Sequence, residues 1–380
     1  LDRTVEALIA ESCQRHSTSR DVSVHEYVEK LTVSIGRIVE GRIKLYLDTR
    51  YWVFLRNAAL GREKRREHSE ILTLLRRLVR DGVAICPVSD VALVELTNQS
   101  DPETRAATAS LLDELSLGVA LIFERERVHV ELEHFFRAPA ESVAKHSLRT
   151  RVWTKAGHAL GTLIPSVDSL PGETLLLLQK VFVDTVWAST FSDLFKMGDV
   201  EQSLAAKFNE MAAKINVEKE RFRHEVSSFQ QALGAELAGA LRLHEDFVSE
   251  MLLSFFEEQG NSRGNVSPEE LIDSREKMTR VVVNGFRYRK GHMASRLPTV
   301  YIHAACHAAV RMDANRKFNG NFIRDLHHGC AGVGYHDAMF TENPLRVLLT
   351  SGNVDANRLC GCVVLSSEVD VVAYLRELER

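Results

Sequence analysis

The sequence predicts an α/β protein, a parallel sheet of about five strands with helices on both faces, interrupted by a large all-α insertion. Three observations carry this. Between residues 43 and 123, short apolar runs of strand length alternate with amphipathic helical stretches. From about 136 to 317 the strand signal disappears while the apolar residues keep helical spacing. The alternation then returns over 318–380.

The elements follow in order. Residues 1–40 read as N-terminal helices, because in TVEALIAESC and VHEYVEKLTVSIGRIVE the apolar residues recur at three- and four-residue steps. IKLYLD (43–48) is a strand. REHSEILTLLRRLVRDG (66–82) is an amphipathic helix closed by Gly82. VAICPVS (83–89) is a second strand, and SDVALVELTNQ (89–99) a helix with Ser89 as its N-cap. PETRAATASLLDELS is helical, and VALIF (119–123) is a third strand. Residues 199–260 lack proline and suit a long helical hairpin, followed by a Gly-, Ser- and Asn-rich loop at 257–270. NFIRDLHHGCAGV is a helix, GYHDAMFTE (334–342) a strand, NPLRVLLTS a helix, LCGCVVLSS (359–367) a strand and EVDVVAYLRELER a terminal helix.

Composition excludes several classes. The 380 residues are 45% hydrophobic and 26% charged, as in ordinary globular chains. The net charge of −4 leaves nucleic-acid binding to local basic patches. The six cysteines are scattered and form no CxxC pair, so they read as reduced thiols, and the expected compartment is the cytoplasm. No apolar run reaches the roughly 18 residues a membrane span needs, and the first residues are acidic and polar, unlike a secretory leader. GxxxxGK[ST], GxSxG and HExxH are absent, and no GxGxxG stands in a usable context.

The acids carry the chemistry. In open α/β sheets the site lies beyond the carboxyl ends of the strands. Asp48 ends the first strand, Asp337 is expected at the fourth, Glu95 lies about two turns down the helix after the second, and Asp325 lies twelve residues before Asp337. Carboxylates gathered this way repel one another and call for a cation; oxygen-only ligation suits Mg²⁺ or Mn²⁺. A single acid at a strand end is ordinarily a cap or a solvated loop residue, so the signal is in their joint placement.

On these residues the chain resembles the PIN-domain (PilT N-terminus) nucleases. LYLDTRYW matches the first acid and CPVSDVALVEL the second. FIRDLHHGCAGVGYHDAMFTEN resembles the third and fourth, and VVLSSEVDVVAYLREL the last strand and helix. The resemblance covers roughly 41–135 and 318–380, divided by the helical insertion at 136–317. It implies a three-layer αβα fold and a Mg²⁺- or Mn²⁺-dependent nuclease, usually acting on RNA. Asp48, Glu95, Asp325 and Asp337 would be the catalytic and metal-binding quartet. The family's common ending places an acid after a Thr; here Asp337 precedes Thr341 and Glu342 follows it, so the fourth acid is Asp337 or Glu342.

Further residues join as candidate substrate contacts. FRYRKGHMASR (286–296) carries Arg287, Arg289, Lys290 and Arg296, with Arg280 just before and Phe286 and Tyr288 interleaved, a pattern suited to a nucleic-acid backbone. Arg50 follows Asp48 by two, and Arg324 and His328 flank Asp325. His303, Cys306 and His307 share one helix face, half of a zinc site with no second half in view. The expected activity is an endoribonuclease, a toxin or defence effector. The alternatives are a DNA nuclease of the same chemistry and a non-catalytic scaffold that binds a partner or RNA through its helical lobe. The helical regions are also the candidate contacts for a protein partner or a second copy.

Overall fold

In the computed structural model, residues 4–18, 21–137, 146–197 and 204–380 are described. Helices α1 (Val5–Ser17) and α2 (Val24–Glu40) precede strand β1 (Ile43–Leu47). Helices α3 (Thr49–Ala59) and α4 (Arg66–Arg80) lead to β2 (Ala84–Ile85), and α5 (Asp90–Thr97) and α6 (Pro102–Ser116) to β3 (Val119–Leu121). Next come α7 (Glu124–Arg137), β4 (Trp153–Lys155), α8 (Gly172–Trp187) and α9 (Phe191–Lys196). A helical series follows: α10 (Leu204–Arg221), α11 (Phe229–Arg242), α12 (Glu245–Glu258), α13 (Pro268–Arg296), α14 (Pro298–Met312) and α15 (Gly320–Tyr335). The chain closes with β5 (Ala338–Phe340), α16 (Asn343–Thr350), α17 (Ala356–Cys360), β6 (Val363–Leu365) and α18 (Glu368–Leu378). Helix dominates, and the strands are short. None of the described helices is long and apolar enough to cross a membrane.

The chain divides differently from the expected 1–40, 41–135, 136–317 and 318–380. One compact unit draws on Leu1–Glu126, His146–Gln202 and Ser366–Arg380, the other on Arg127–Lys145 and Ser203–Leu365. The boundary expected at 317/318 moves because α15 buries its apolar face on α10 and α14, so residues 320–365 join the helices that precede them.

In the first unit β1 pairs in parallel with β2, Ile43 opposite Ala84. Val88 continues this edge as a parallel bridge to Ala120 in β3. The apolar runs 83–89 and 119–123 were expected as whole strands, but regular pairing covers only Ala84–Ile85 and Val119–Leu121. β3 turns its other edge to β4, which is antiparallel and lies within the stretch expected to be free of strands. Only three residues long and set between helical patterns, β4 was hidden in the sequence; β-branched Thr154 and buried Trp153 suit it to a pleat. Helix α2 lies against β4 and the turn Leu148–Thr150. Gly36 makes that approach possible, since a Cβ there would sit 2.0 Å from the Thr150 carbonyl oxygen. Gly36→Ala gains about 1 kcal/mol of helix propensity, yet it should destabilise the unit by about 1–3 kcal/mol, because backbone cannot yield as a side chain does. Urea unfolding checks the sign; a stabilised variant would disprove the close approach.

In the second unit β5 pairs in parallel with β6, Ala338 opposite Val363. The expected strand 334–342 shrinks to Ala338–Phe340 because α15 continues to Tyr335. Likewise 359–367 yields only β6, with residues 356–360 forming α17. Helix α14 is buried almost all round, which fits its run of Ala, Ile and Val. All six cysteines are free thiols.

Candidate functional site

Asp48 and Glu95 belong to the first unit. In β1, Leu45, Tyr46 and Leu47 are fully buried, and the chain leaves the strand at Asp48, only 6% exposed. Asp48 has extended backbone (φ −70°, ψ 170°) and is the N-cap of α3, its carboxylate accepting the Tyr51 amide at 3.2 Å. Capping therefore explains part of why a core strand runs into a carboxylate. The next residue, Thr49, donates its hydroxyl to the carboxylate of Glu95. Glu95 is held there because Ser89 caps α5, accepting the Ala92 amide at 3.2 Å, and α5 lies against α3. Glu95 is thus tied to Thr49, the residue that follows Asp48.

Sequence reasoning missed two members of this cluster. Asp90, also 6% exposed, follows Ser89 at the start of α5 and accepts the Glu124 amide at 3.1 Å. In the sequence it read as part of a capping signal and nothing more. Thr49 had no signal of its own, because the side chain it would meet lies 46 residues away. Tyr46 registers the local field. Its hydroxyl meets Ser89 at 2.9 Å. Burial raises its phenol well above the ordinary range, the Ser89 hydrogen bond opposes this, and Asp90, Asp48 and Glu95 each push it further up.

The remaining acids belong to the second unit. Asp325 is exposed in the second turn of α15, while Asp337 is half-buried beyond that helix's carboxyl end. Ten residues of helix rise about 15 Å between Asp325 and Tyr335, so Asp325 and Asp337 are not neighbours. Asp337 also enters β5 at its amino end, where its carbonyl accepts the Val363 amide at 2.9 Å, rather than leaving at the carboxyl end as expected. Glu342 occupies the carboxyl side of β5, as the N-cap residue of α16, and is exposed. Helix α16 packs against α15: a Cβ on Gly329 would meet Leu349 at 3.1 Å and Leu345 at 3.7 Å.

The candidate substrate contacts fare unequally. Arg50 sits 3.4 Å from Glu368 and over the Phe54 ring, so its first role is an ion pair. Lys290 donates to the Asn353 carbonyl at 2.9 Å and rests against Tyr301, which makes it a tether, and burial lowers its pKa. His328 is buried in α15, which favours packing over phosphate contact. Arg324 is half-buried and donates to Asn321 on the same helix. Arg287 and Arg289 are exposed, as the phosphate reading requires. His303 and His307 stack with ring centroids 4.4 Å apart, and His307 lies against Phe318. Cys306 is buried, its thiol pushed up to about 12.

Among the described residues no group of three or more His, Cys, Asp or Glu side chains stands ready to hold a metal ion. The donor set at Asp48 and Glu95 is carboxylate oxygen throughout, which is the chemistry Mg²⁺ or Mn²⁺ selects. No protein-family model, curated protein or solved structure matches the chain.

Proposed function

We propose that this protein is a metal-dependent, PIN-like endoribonuclease acting in the cytoplasm. The observation that carries the reading is a buried Asp48 at the carboxyl end of a parallel strand, with Glu95 hydrogen-bonded to the next residue, Thr49. Core burial of acids is costly unless something compensates the charge, and Asp90 adds a third carboxylate to the same neighbourhood. Asp48 and Glu95 would hold Mg²⁺ or Mn²⁺. Such an ion activates a water and neutralises charge on a phosphoryl group during hydrolysis. Asp48 keeps its cap to Tyr51 and so fixes one carboxylate oxygen in place. Thr49 holds Glu95 in a single orientation, the supporting role that hydrogen-bonded neighbours give to ligating carboxylates. Asp325 and the fourth acid that the family resemblance adds, Asp337 or Glu342, are tested by their own substitutions to Asn and Gln.

The deciding experiment incubates the protein with total cellular RNA in Mn²⁺, Mg²⁺ or EDTA and maps the new ends. Metal-dependent cleavage lost in Glu95→Gln supports the reading. Cleavage of DNA alone moves the same chemistry to the other polymer, and cleavage of neither under any metal overturns it in favour of a binding scaffold. Thr49 supplies a finer check. Thr49→Val is expected to lower cleavage about 10–100-fold, the usual cost of losing a ligand's supporting hydrogen bond, and Thr49→Ser to restore it. A Val variant as active as wild type would leave Thr49 without a positioning role.

A further inference from the structure

The cations of α13 change character along the helix. Arg275, Lys277 and Arg280 each have a carboxylate within ion-pair distance, in Glu245, Asp273 and Glu276. Arginines elsewhere in the second unit do likewise, among them Arg137, Arg263, Arg311 and Arg358. Arg287 and Arg289 break the habit: both are exposed, and neither has a carboxylate partner among the described residues. Between them stands Tyr288, 74% exposed, with the Arg287 guanidinium 5.5 Å from its ring centroid. At Arg289 the backbone leaves helical values (φ −139°, ψ 46°), which kinks α13 beside the patch.

Arg287 also borders a groove of about 490 Å³ between α11 and α13, within the roughly 300–1,000 Å³ usual for small-molecule sites. Its floor includes Leu237 and Phe286, and its rim carries the amides of Gln230, Gln231 and Asn284. Gln231 has its side-chain oxygen engaged by the Ser227 amide and hydroxyl at 2.9 Å, which leaves its NH₂ to donate. Gln230 and Asn284 are exposed.

We propose that this patch is a binding site for single-stranded nucleic acid, with phosphates at Arg287 and Arg289, one base stacked on Tyr288, and a neighbouring base in the amide-lined groove. Two unpaired cations alone would suit any polyanion. An exposed aromatic face set between them, beside amides that can donate and accept, suits unstacked bases. The proposal rests on the function proposed above only in the choice of RNA as the first polymer to try.

The test is fluorescence anisotropy with a short labelled single-stranded RNA of mixed sequence, the same sequence as DNA, and the RNA duplex, all in EDTA so that no cleavage intervenes. The double variant Arg287→Gln, Arg289→Gln should weaken RNA binding at least tenfold and lower the slope of log affinity against log salt by about 1.4, two contacts at about 0.7 each. Tyr288→Ala should weaken it about 5- to 150-fold, the worth of one stacked base, without changing the slope, and Tyr288→Phe should restore it. All three positions are exposed, so the fold survives these changes. Equal binding by wild type and variants overturns the proposal, as does a duplex bound tighter than its single strand. Polyglutamate competing as well as unlabelled RNA would give the patch to acidic proteins and overturn it too. A protein that binds through this patch yet cleaves nothing sinks only the nuclease reading. One that cleaves while its patch variants bind normally sinks only this one.

Discussion

Asp48→Asn is expected to abolish metal-dependent RNA cleavage while leaving the protein folded. Asn caps helices as well as Asp does, so the hydrogen bond from the Tyr51 amide survives the change. What is lost is one negative charge beside Glu95 and Asp90. Without metal that loss relieves repulsion among neighbouring carboxylates, and the variant should melt no lower than wild type in EDTA. With metal the order reverses. An ion that binds only the folded form stabilises by about 2.7 kcal/mol at a hundred times its dissociation constant, and wild type should gain this from Mn²⁺ while Asp48→Asn should not. Asp48→Ala separates the two roles, because it removes charge and cap together and should cost about 1 kcal/mol even in EDTA. Cleavage that persists in Asp48→Asn would refute the nuclease assignment. A variant that melts far below wild type in EDTA would show that the carboxylate serves folding instead.

Asp48 and Glu95 were legible in the sequence because each is placed by a local rule. Asp48 ends a five-residue apolar strand, and Glu95 follows Ser89, the N-cap of α5, by six residues. Local rules fail where placement depends on tertiary partners. The end of α15 is such a case: HDAMF suits a strand, but GCAGVGY continues the helix because its small residues let it lie close to α14, with Gly334 against Pro298. Two helical residues gained there moved Asp337 from the expected carboxyl end of a strand to the amino end of a shorter one. The same tertiary burial joined residues 320–365 to the helical series, and no pattern within that stretch announces it. Thr49 and Asp90 were missed for a related reason, since their partners Glu95 and Glu124 lie 46 and 34 residues away.

Glu131 is the second position where a large effect is expected, and it concerns stability. It lies on α7 and is completely buried. Helix α14 opens with Pro298 and has no side-chain cap of its own at Leu297. Glu131 takes that role from a distance: its carboxylate accepts the Thr299 amide at 2.9 Å and the Val300 amide at 3.3 Å, together with the Tyr335 hydroxyl. An anion at a helix amino terminus is favoured by the helix dipole, and Arg127, one turn earlier on α7, is buried as well. Glu131→Ala would strand three donors, the Thr299 and Val300 amides and the Tyr335 hydroxyl, a loss of about 3–5 kcal/mol. Burial raises the Glu131 pKa above its ordinary value against the pull of these hydrogen bonds. A raised folded-state pKa means that the folded protein holds the proton more tightly than the unfolded chain does. The associated stability is then fully present below the unfolded pKa, near 4.5, and is lost as pH rises through the folded value. Glu131→Gln has no such proton to bind. In urea unfolding, wild type should therefore gain stability relative to Glu131→Gln as pH is lowered from neutrality toward 5. A difference that stays constant with pH would mean that Glu131 keeps its ordinary proton affinity, and that its contribution comes from hydrogen bonding alone.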